Sequence, residues 1–467
     1  MNTPLAIVGN GAAAAEAVLA LRAHGYQSEI HLFADNEHAP YNPMLGPYLV
    51  SGAIPPDRVF PFGDERGFYG ANRVTAHLGR AVVQLDAAGQ TLTTADGRSY
   101  TYSRCLLACG ARPSVPAIPG LREALAAGPS SRLPVTAGPL ERRVFTLQAL
   151  EEAGALKEAV DTLRSGAAAG PRPADAAVGL SSGDAYSPRD GVPRAAVIGA
   201  SFAGVKIAAV LHEMGFKVCL VEREPHILPL SAHPECARLM EGHLLAEGYG
   251  LRLGAVLAAV DVAASGVRLD FGGLPGVADP GAAGGTVCEE SPPHEDVHLV
   301  VVCTGSRPSL SFLSPGQVDV GAGILVDEHM RSNIPTLYAA GDVAQGKNLL
   351  TGRHEIIGLW ASARYQGRAA GRSLAGAPSG YAGGVPHNIT HVGRMLFASI
   401  GCLKDYDSIE TSTEGDAFQV RVWRDGRLAG VNLVGSCCTA GMIKQAVLRE
   451  AIGAVTGTEA TWTSFSA

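Results

Sequence analysis

A short apolar run, Leu5-Ala6-Ile7-Val8, breaks directly into Gly9-Asn10-Gly11-Ala12-Ala13-Ala14, and this junction constrains the fold more than any other stretch. A strand that ends in a tight turn and feeds a helix satisfies both halves of it. Gly9 supplies the turn's backbone freedom, and Gly11 leaves no Cβ between the backbone and a pyrophosphate. Ala14 is small enough for the helix to lie against its strand. Ala12 and Ala13 complete the turn, and the helix it opens offers first N–H groups and a partial positive charge that favour a phosphate. The helix runs from Ala15 to His24 and stops at Gly25. Glu29 to Phe33 reads as a second strand, and Asp35 beyond it can accept hydrogen bonds from a ribose diol. Strand, turn, helix, strand and acid in this order predict a βαβ nucleotide site.

The pattern recurs. Arg194 to Ile198 is a strand, Gly199-Ala200-Ser201-Phe202-Ala203-Gly204 a turn, and Val205 to Met214 a helix ended by Gly215. Lys217 to Val221 is the next strand, with Glu222 at its end. Each copy closes on an apolar strand and a glycine: Cys105 to Gly110, then Ala111-Arg112-Pro113, and Val297 to Gly305. The fold class expected is α/β, with two Rossmann-like dinucleotide-binding domains. A chain of 467 residues exceeds one core, which agrees with several domains. Residues 381–467 alternate strands with one helix and read as a small α+β domain. Ser165 to Gly191, rich in Ala, Gly, Pro and Ser, reads as a mobile surface insertion, and a second such patch spans residues 263–295.

Composition excludes other classes. A formal net charge of −7 without any basic run argues against a nucleic-acid surface. Nine cysteines lack a repeating spacing and any Cys-x-x-Cys, so neither a secreted disulfide framework nor a metal site is expected. A reducing cytoplasm suits them. No uninterrupted apolar stretch is long enough to span a bilayer, and the apolar start lacks the basic residues of a signal peptide.

The first turn at Gly9, Leu107-Ala108-Cys109-Gly110-Ala111-Arg112-Pro113, the turn at Gly199, Val302-Cys303-Thr304-Gly305-Ser306-Arg307-Pro308 and Tyr338-Ala339-Ala340-Gly341-Asp342 together resemble the FAD-dependent pyridine nucleotide-disulfide oxidoreductase superfamily. The resemblance implies FAD in the first site and NAD(P)H in the second, with Asp342 on the ribityl-phosphate region of the flavin. It also implies a discontinuous FAD domain (1–120 and 319–380) and a connection with its insertion (121–192). The NAD domain (193–318) is interrupted near 263–295, and the C-terminal domain (381–467) is an interface domain. Expected at the first site are Gly9, Gly11, Ala12, Ala13, Ala14, Asp35, Tyr41, Asn42, Pro43, Cys109, Gly110, Arg112, Gly341, Asp342 and Trp360. Expected at the second are Gly199, Ser201, Phe202, Gly204, Glu222, Arg223 and Gly305. Glu222 favours an unmodified ribose and Arg223 a 2′-phosphate, so NADH is expected over NADPH.

Disulfide-reducing branches of this superfamily carry a cysteine against the flavin in the segment here running from Pro40 to Gly52. In this chain Met44 takes the thiol's place, and no cysteine lies between Met1 and Arg104. Thiol-disulfide exchange then has no nucleophile beside the flavin. The segment is similar to the Tyr-x-x-Pro-x-Leu stretch of ferredoxin and rubredoxin reductases and of NADH-dependent electron-transfer subunits, without their arginine and lysine.

Cys109, Cys219 and Cys303 read as small core residues. Cys437-Cys438 is either packing at a strand-to-helix turn or an electron relay. His387 and His391 are surface or core residues, or approach the flavin. Lys206, where relatives often carry glutamate, is either near the hydride-transfer face, as the catalytic candidate, or a solvated helix lysine. The function expected is an NADH-linked FAD oxidoreductase exchanging electrons with a carrier protein or iron–sulfur partner subunit, as a homodimer or in a hetero-oligomeric complex. Direct reduction of nitrite, peroxide, oxygen or a disulfide, and a flavin-binding assembly subunit, are the alternatives.

Overall fold

The computed structural model describes residues 3–64, 66–126, 142–168, 191–263, 266–272, 293–378 and 380–456. Most of the insertion expected over Ser165 to Gly191, and most of the patch over 263–295, lie outside these residues. Two five-stranded parallel sheets form the frame. The first runs Leu337–Ala339, Arg104–Leu107, Leu5–Val8, Ile30–Phe33, Val74–His77. The second runs Gly250–Arg252, Lys217–Val221, Arg194–Ile198, Leu299–Val302, Val144–Phe145. Strands buried on both faces must be apolar throughout. Leu5–Val8 and Leu299–Val302 are accordingly buried at every position.

The two copies share the hydrogen bonds that close their turns. Gly9 N–H donates to Phe33 O at 2.8 Å, and Gly199 N–H to Val221 O at 2.7 Å. Ala108 N–H donates to Val8 O and Cys303 N–H to Ile198 O, both at 2.7 Å. Each unit also carries a three-stranded antiparallel excursion, Val82–Asp86 to Ser99–Thr101 in one and Leu257–Val262 to His294–Val297 in the other. Their fifth strands are exchanged along the chain. Val144–Phe145 precedes the second unit that it joins, and Leu337–Ala339 follows that unit to complete the first. A two-stranded ribbon, Ala111–Pro113 against Ser306–Pro308, ties the closing loops together.

The helix Trp360–Leu374 returns to the first unit and packs on Ala12–Ala23. A Cβ at Gly367 would meet the backbone of Ala13, and one at Gly371 the backbone of Ala17, so glycine sets this close approach. Arg364 Nε donates to Glu16 Oε1 at 2.6 Å, and Arg368 Nη2 to Glu16 Oε2 at 2.9 Å. A buried carboxylate needs such partners.

The C-terminal sheet runs His387–Val392, Met395–Gly401, Arg427–Val434, Ala417–Arg424, Ser408–Glu414. One face shares a core with the second unit through Phe397, Val420 and Val422, and the helix Ala440–Thr456 packs against the sheet. Leu49 and Val50 of the short helix Gly46–Ser51 join that same core. This carries the segment after Asp35 onto the second unit. Among the described residues no helix is long and apolar enough to cross a membrane.

Candidate functional site

The first turn is shaped by contact. Gly9 has φ +111°, and a Cβ there would overlap the Ala108 carbonyl. Gly11 differs: a Cβ on it meets nothing within 4 Å. It is also the N-cap of Ala12–Ala23 and supplies no side-chain hydrogen bond. The leading N–H groups of that helix have no capping side chain, which leaves them for a phosphate. Ala12, Ala13 and Ala14 are buried behind them. Gly110 (φ +63°), beyond the closing strand, likewise has open space on its Cβ side.

Asn10, the residue between the two glycines, was not among the expected site residues. Its Nδ2 donates to His38 O at 2.7 Å, and Tyr69 Oη donates to its Oδ1 at 2.7 Å. Asn10 therefore pins the segment after Asp35 to the turn. A polar residue inside an otherwise small-residue turn is its local signal; Tyr69 has none. Asp35 and Arg112 meet at 3.2 Å, both largely exposed.

Tyr41, Asn42 and Pro43 line a small cleft against Leu147, Gln148, Ala149 and Leu150. Asn42 Oδ1 accepts from Met44 N–H at 3.1 Å, and Gln148 Nε2 donates to Ala111 O at 2.7 Å. Burial, with Glu151 adding to it, pushes the Tyr41 hydroxyl up to about 12. Met44 is half exposed, at 54%.

Gly341 (φ +84°) donates its N–H to the buried Gln366 Oε1 at 2.8 Å, which fixes the Gly341-Asp342 corner. Burial raises the Asp342 carboxyl, and among the described residues no group hydrogen-bonds it. Asp342 is half-buried, so its carboxylate is open to a ligand that supplies donors. Trp360, at the start of its helix, lies 6.3 Å from Phe62. The uncapped helix start, the free space at Gly11 and Gly110 and the accessible Asp342 carboxyl together fit a flavin dinucleotide.

At the second turn Ser201 caps its helix, its Oγ accepting from Gly204 N–H at 3.3 Å and donating to Cys303 O at 3.0 Å. A Cβ on Gly204 would overlap the Gly199 carbonyl. Glu222 Oε2 accepts from Ala200 N–H at 2.8 Å and Oε1 from Glu224 N–H at 3.0 Å, so the carboxylate is held at the mouth of the turn. Arg223 is exposed and bonded to Glu224. Gly305 (φ +90°) matches Gly110. Phe202 stacks on Phe397, 6.2 Å between centroids. One helical turn later, Lys206 Nζ sits 4.5 Å from the centroid of the Tyr48 ring, across the junction of the two units.

The eight described cysteines are free. Burial pushes the Cys109 and Cys303 thiols up to about 12 and Cys437 to about 11. Cys109 Sγ bonds Ser309 O, and Cys219 lies in the core. Cys438 is exposed beside Ser436, and Cys437 packs at the strand-to-helix turn. His387 Nε2 lies 2.9 Å from Lys444 Nζ, and His391 is exposed. No group of three or more His, Cys, Asp or Glu suited to a metal occurs among the described residues.

A family model described as pyridine nucleotide-disulphide oxidoreductase matches residues 3–367. The epsilon subunit of NADH-dependent phenylglyoxylate dehydrogenase from Aromatoleum evansii is 27% identical over 455 residues, covering 96% of this chain and 92% of the relative. Rubredoxin-NAD(+) reductase from Pseudomonas putida is 24% identical over 420 residues, covering 90% and 91%. Among solved structures, a ferredoxin reductase from Rhodopseudomonas palustris superposes with a TM-score of 0.72 at 21% identity, covering 95% and 93%, a likeness of fold.

Proposed function

The chain belongs to the pyridine nucleotide-disulphide oxidoreductase family, and from that premise we propose that it is an FAD-dependent reductase that exchanges electrons between NADH and a carrier protein or partner subunit. The observation that carries this reading is a pair of matched nucleotide turns in one chain, with Met44 where a thiol would be needed and the described buried thiols held protonated. Without a thiolate, disulfide exchange lacks its nucleophile. The relatives' names support a protein acceptor: one is a subunit of an NADH-dependent dehydrogenase, another a rubredoxin reductase.

We assign the first site to Gly9, Gly11, Ala12, Ala13, Ala14, Asp35, Tyr41, Asn42, Pro43, Cys109, Gly110, Arg112, Gly341, Asp342 and Trp360, within a discontinuous domain of residues 1–120 and 319–380. Bound FAD supplies the hydride acceptor and the ability to release electrons one at a time. The helix start at Gly11 holds the diphosphate, and Asp342 accepts from ribityl hydroxyls. The second site, in residues 193–318, uses Gly199, Ser201, Phe202, Gly204, Glu222, Arg223 and Gly305. Glu222 accepts from the adenosine ribose, and Phe202 and Lys206 stand on the helix face turned toward the junction. Lys206 places positive charge there without a carboxylate partner among the described residues. Residues 381–467 act as an interface domain. The free cysteines suit a reducing cytoplasm.

Anaerobic stopped-flow mixing with NADH tests the reading. The expected result is rapid bleaching of the flavin, slow recovery in air and fast recovery with an iron–sulfur carrier. Fast recovery in air alone would make it an oxidase, and no bleaching a binding subunit.

A further inference from the structure

Two arginines stand where the second site meets the adenosine end of a nicotinamide cofactor. Arg223 directly follows Glu222, and Arg252 pairs across the ladder with Val221, one residue before it. Each has an acid of its own. Arg252 Nε donates to Glu295 Oε2 at 2.8 Å, and its guanidinium lies 4.4 Å from the Phe271 ring centroid. Arg223 donates to Glu224 Oε1 twice, from Nη2 at 3.0 Å and from Nε at 3.3 Å. Arg252 is largely covered by its partners, at 13% exposed, whereas Arg223 is 77% exposed and Glu224 44%. The backbone does not let Glu224 drift: its N–H donates to Glu222 Oε1 and its carbonyl accepts from Gly254 N–H at 3.0 Å.

We propose that Glu224 is the residue that keeps this site selective for a nucleotide lacking a 2′-phosphate. Glu222 receives the ribose diol. A 2′-phosphate would project toward Arg223, whose planar guanidinium suits it. Glu224 occupies both donors on that edge and adds a negative charge beside the incoming one. The guanidinium and carboxylate leave the local charge near zero, and Glu222 makes it negative. The strand end carries a phosphate-binding arginine that its neighbour cancels.

The inference rests on the second turn being the NAD site, so its test must separate the two ideas. Binding of 5′-AMP and of adenosine 2′,5′-bisphosphate to the FAD-loaded protein is measured by calorimetry, for wild type, Glu224→Gln and the double variant Arg223→Gln/Glu224→Gln. Expected for Glu224→Gln is an affinity for the bisphosphate at least about fivefold higher, the scale of one freed charge-assisted contact at an exposed site, with the 5′-AMP affinity unchanged. The gain should disappear in the double variant and shrink with added salt. NADPH should gain on NADH in flavin bleaching to the same degree. An unchanged bisphosphate affinity in Glu224→Gln, or a gain that survives loss of Arg223, overturns the assignment of Glu224. Failure of wild type to bind 5′-AMP and NADH at all overturns the NAD reading instead.

Discussion

The ammonium of Lys206 and the ring of Tyr48 face each other at 4.5 Å, one on the helix of the second nucleotide turn and the other on the short helix that follows Asp35. A cation over an aromatic face is worth about 0.5–1 kcal/mol at a half-exposed site, too little to be the purpose of the contact. Its consequence is electrostatic: one positive charge at the junction of the two proposed cofactor sites. Lys206→Met should retain bound FAD and slow its reduction by NADH at least about tenfold, the effect of removing one oriented charge from a reacting centre. Lys206→Arg should recover part of the rate. If Lys206→Met is reduced as fast as wild type in stopped flow, the residue is a solvated helix lysine.

Gly9 and Gly11 separate folding from binding. Gly9→Ala adds a Cβ that collides with the Ala108 carbonyl at a φ of +111°, so the expected result is misfolded or aggregated protein. A Cβ at Gly11 meets no protein atom within 4 Å, and its φ is −93°. Gly11→Val should leave the apoprotein's melting temperature within about 2 °C of wild type while FAD affinity falls at least about a hundredfold, the cost of blocking a phosphate cradle. Both are read by differential scanning fluorimetry and by quenching of flavin fluorescence. Equal FAD affinity in Gly11→Val would remove the diphosphate from that turn.

The two fingerprints are legible in the sequence because their constraints are local. Glycine at φ > 0, a small residue at the helix start and an acid at a strand end all fall within some thirty residues. The pairing of distant elements is less legible. Val144–Phe145 and Leu337–Ala339 are short apolar pieces, and nothing in either says which sheet it completes. Glu16 sits in the middle of an alanine helix, and its partners Arg364 and Arg368 lie 348 and 352 residues away. Tyr69 is 59 residues from Asn10, in a stretch with neither period nor motif. Cys219 and Cys303 read correctly as core from their apolar strands, whereas Cys109 is only partly buried beside the first core.

The Asn10 junction yields a prediction about order. Asn10 Nδ2 and Tyr69 Oη both reach the His38 carbonyl, at 2.7 and 3.4 Å, and Tyr69 Oη also donates to Asn10 Oδ1, in a largely buried setting where a lost partner costs about 1–3 kcal/mol. Asn10→Ala should lower stability by that amount in denaturant titration and expose the segment around residues 36–42 to faster amide exchange. Tyr69→Phe, which leaves the Asn10 bond to the His38 carbonyl in place, should lose about 1 kcal/mol. Because the segment carries Tyr41 to Pro43, FAD affinity should fall in parallel. A variant with native exchange rates there would show that the packing of Tyr69, not the hydrogen bond, holds the segment.

Asp342 sets stability against binding. Burial raises its carboxyl above the ordinary aspartate value, so the folded chain holds that proton more tightly than the unfolded chain. The contribution to folding is therefore most favourable in acid and declines as pH rises from the ordinary value through the raised one, reaching its full penalty above the raised value. In the apoprotein, Asp342→Asn removes the penalty. It should raise the melting temperature by about 2 °C or more at pH 7, with the advantage vanishing near pH 4. With FAD the order reverses. The ribityl hydroxyls supply the missing donors to a carboxylate, whereas an amide accepts them less strongly, so Asp342→Asn should bind the flavin at least about tenfold more weakly. An apoprotein destabilised by Asp342→Asn at pH 7 would mean that the carboxylate already has donors, and the site at Gly341-Asp342 would then have to be assigned elsewhere.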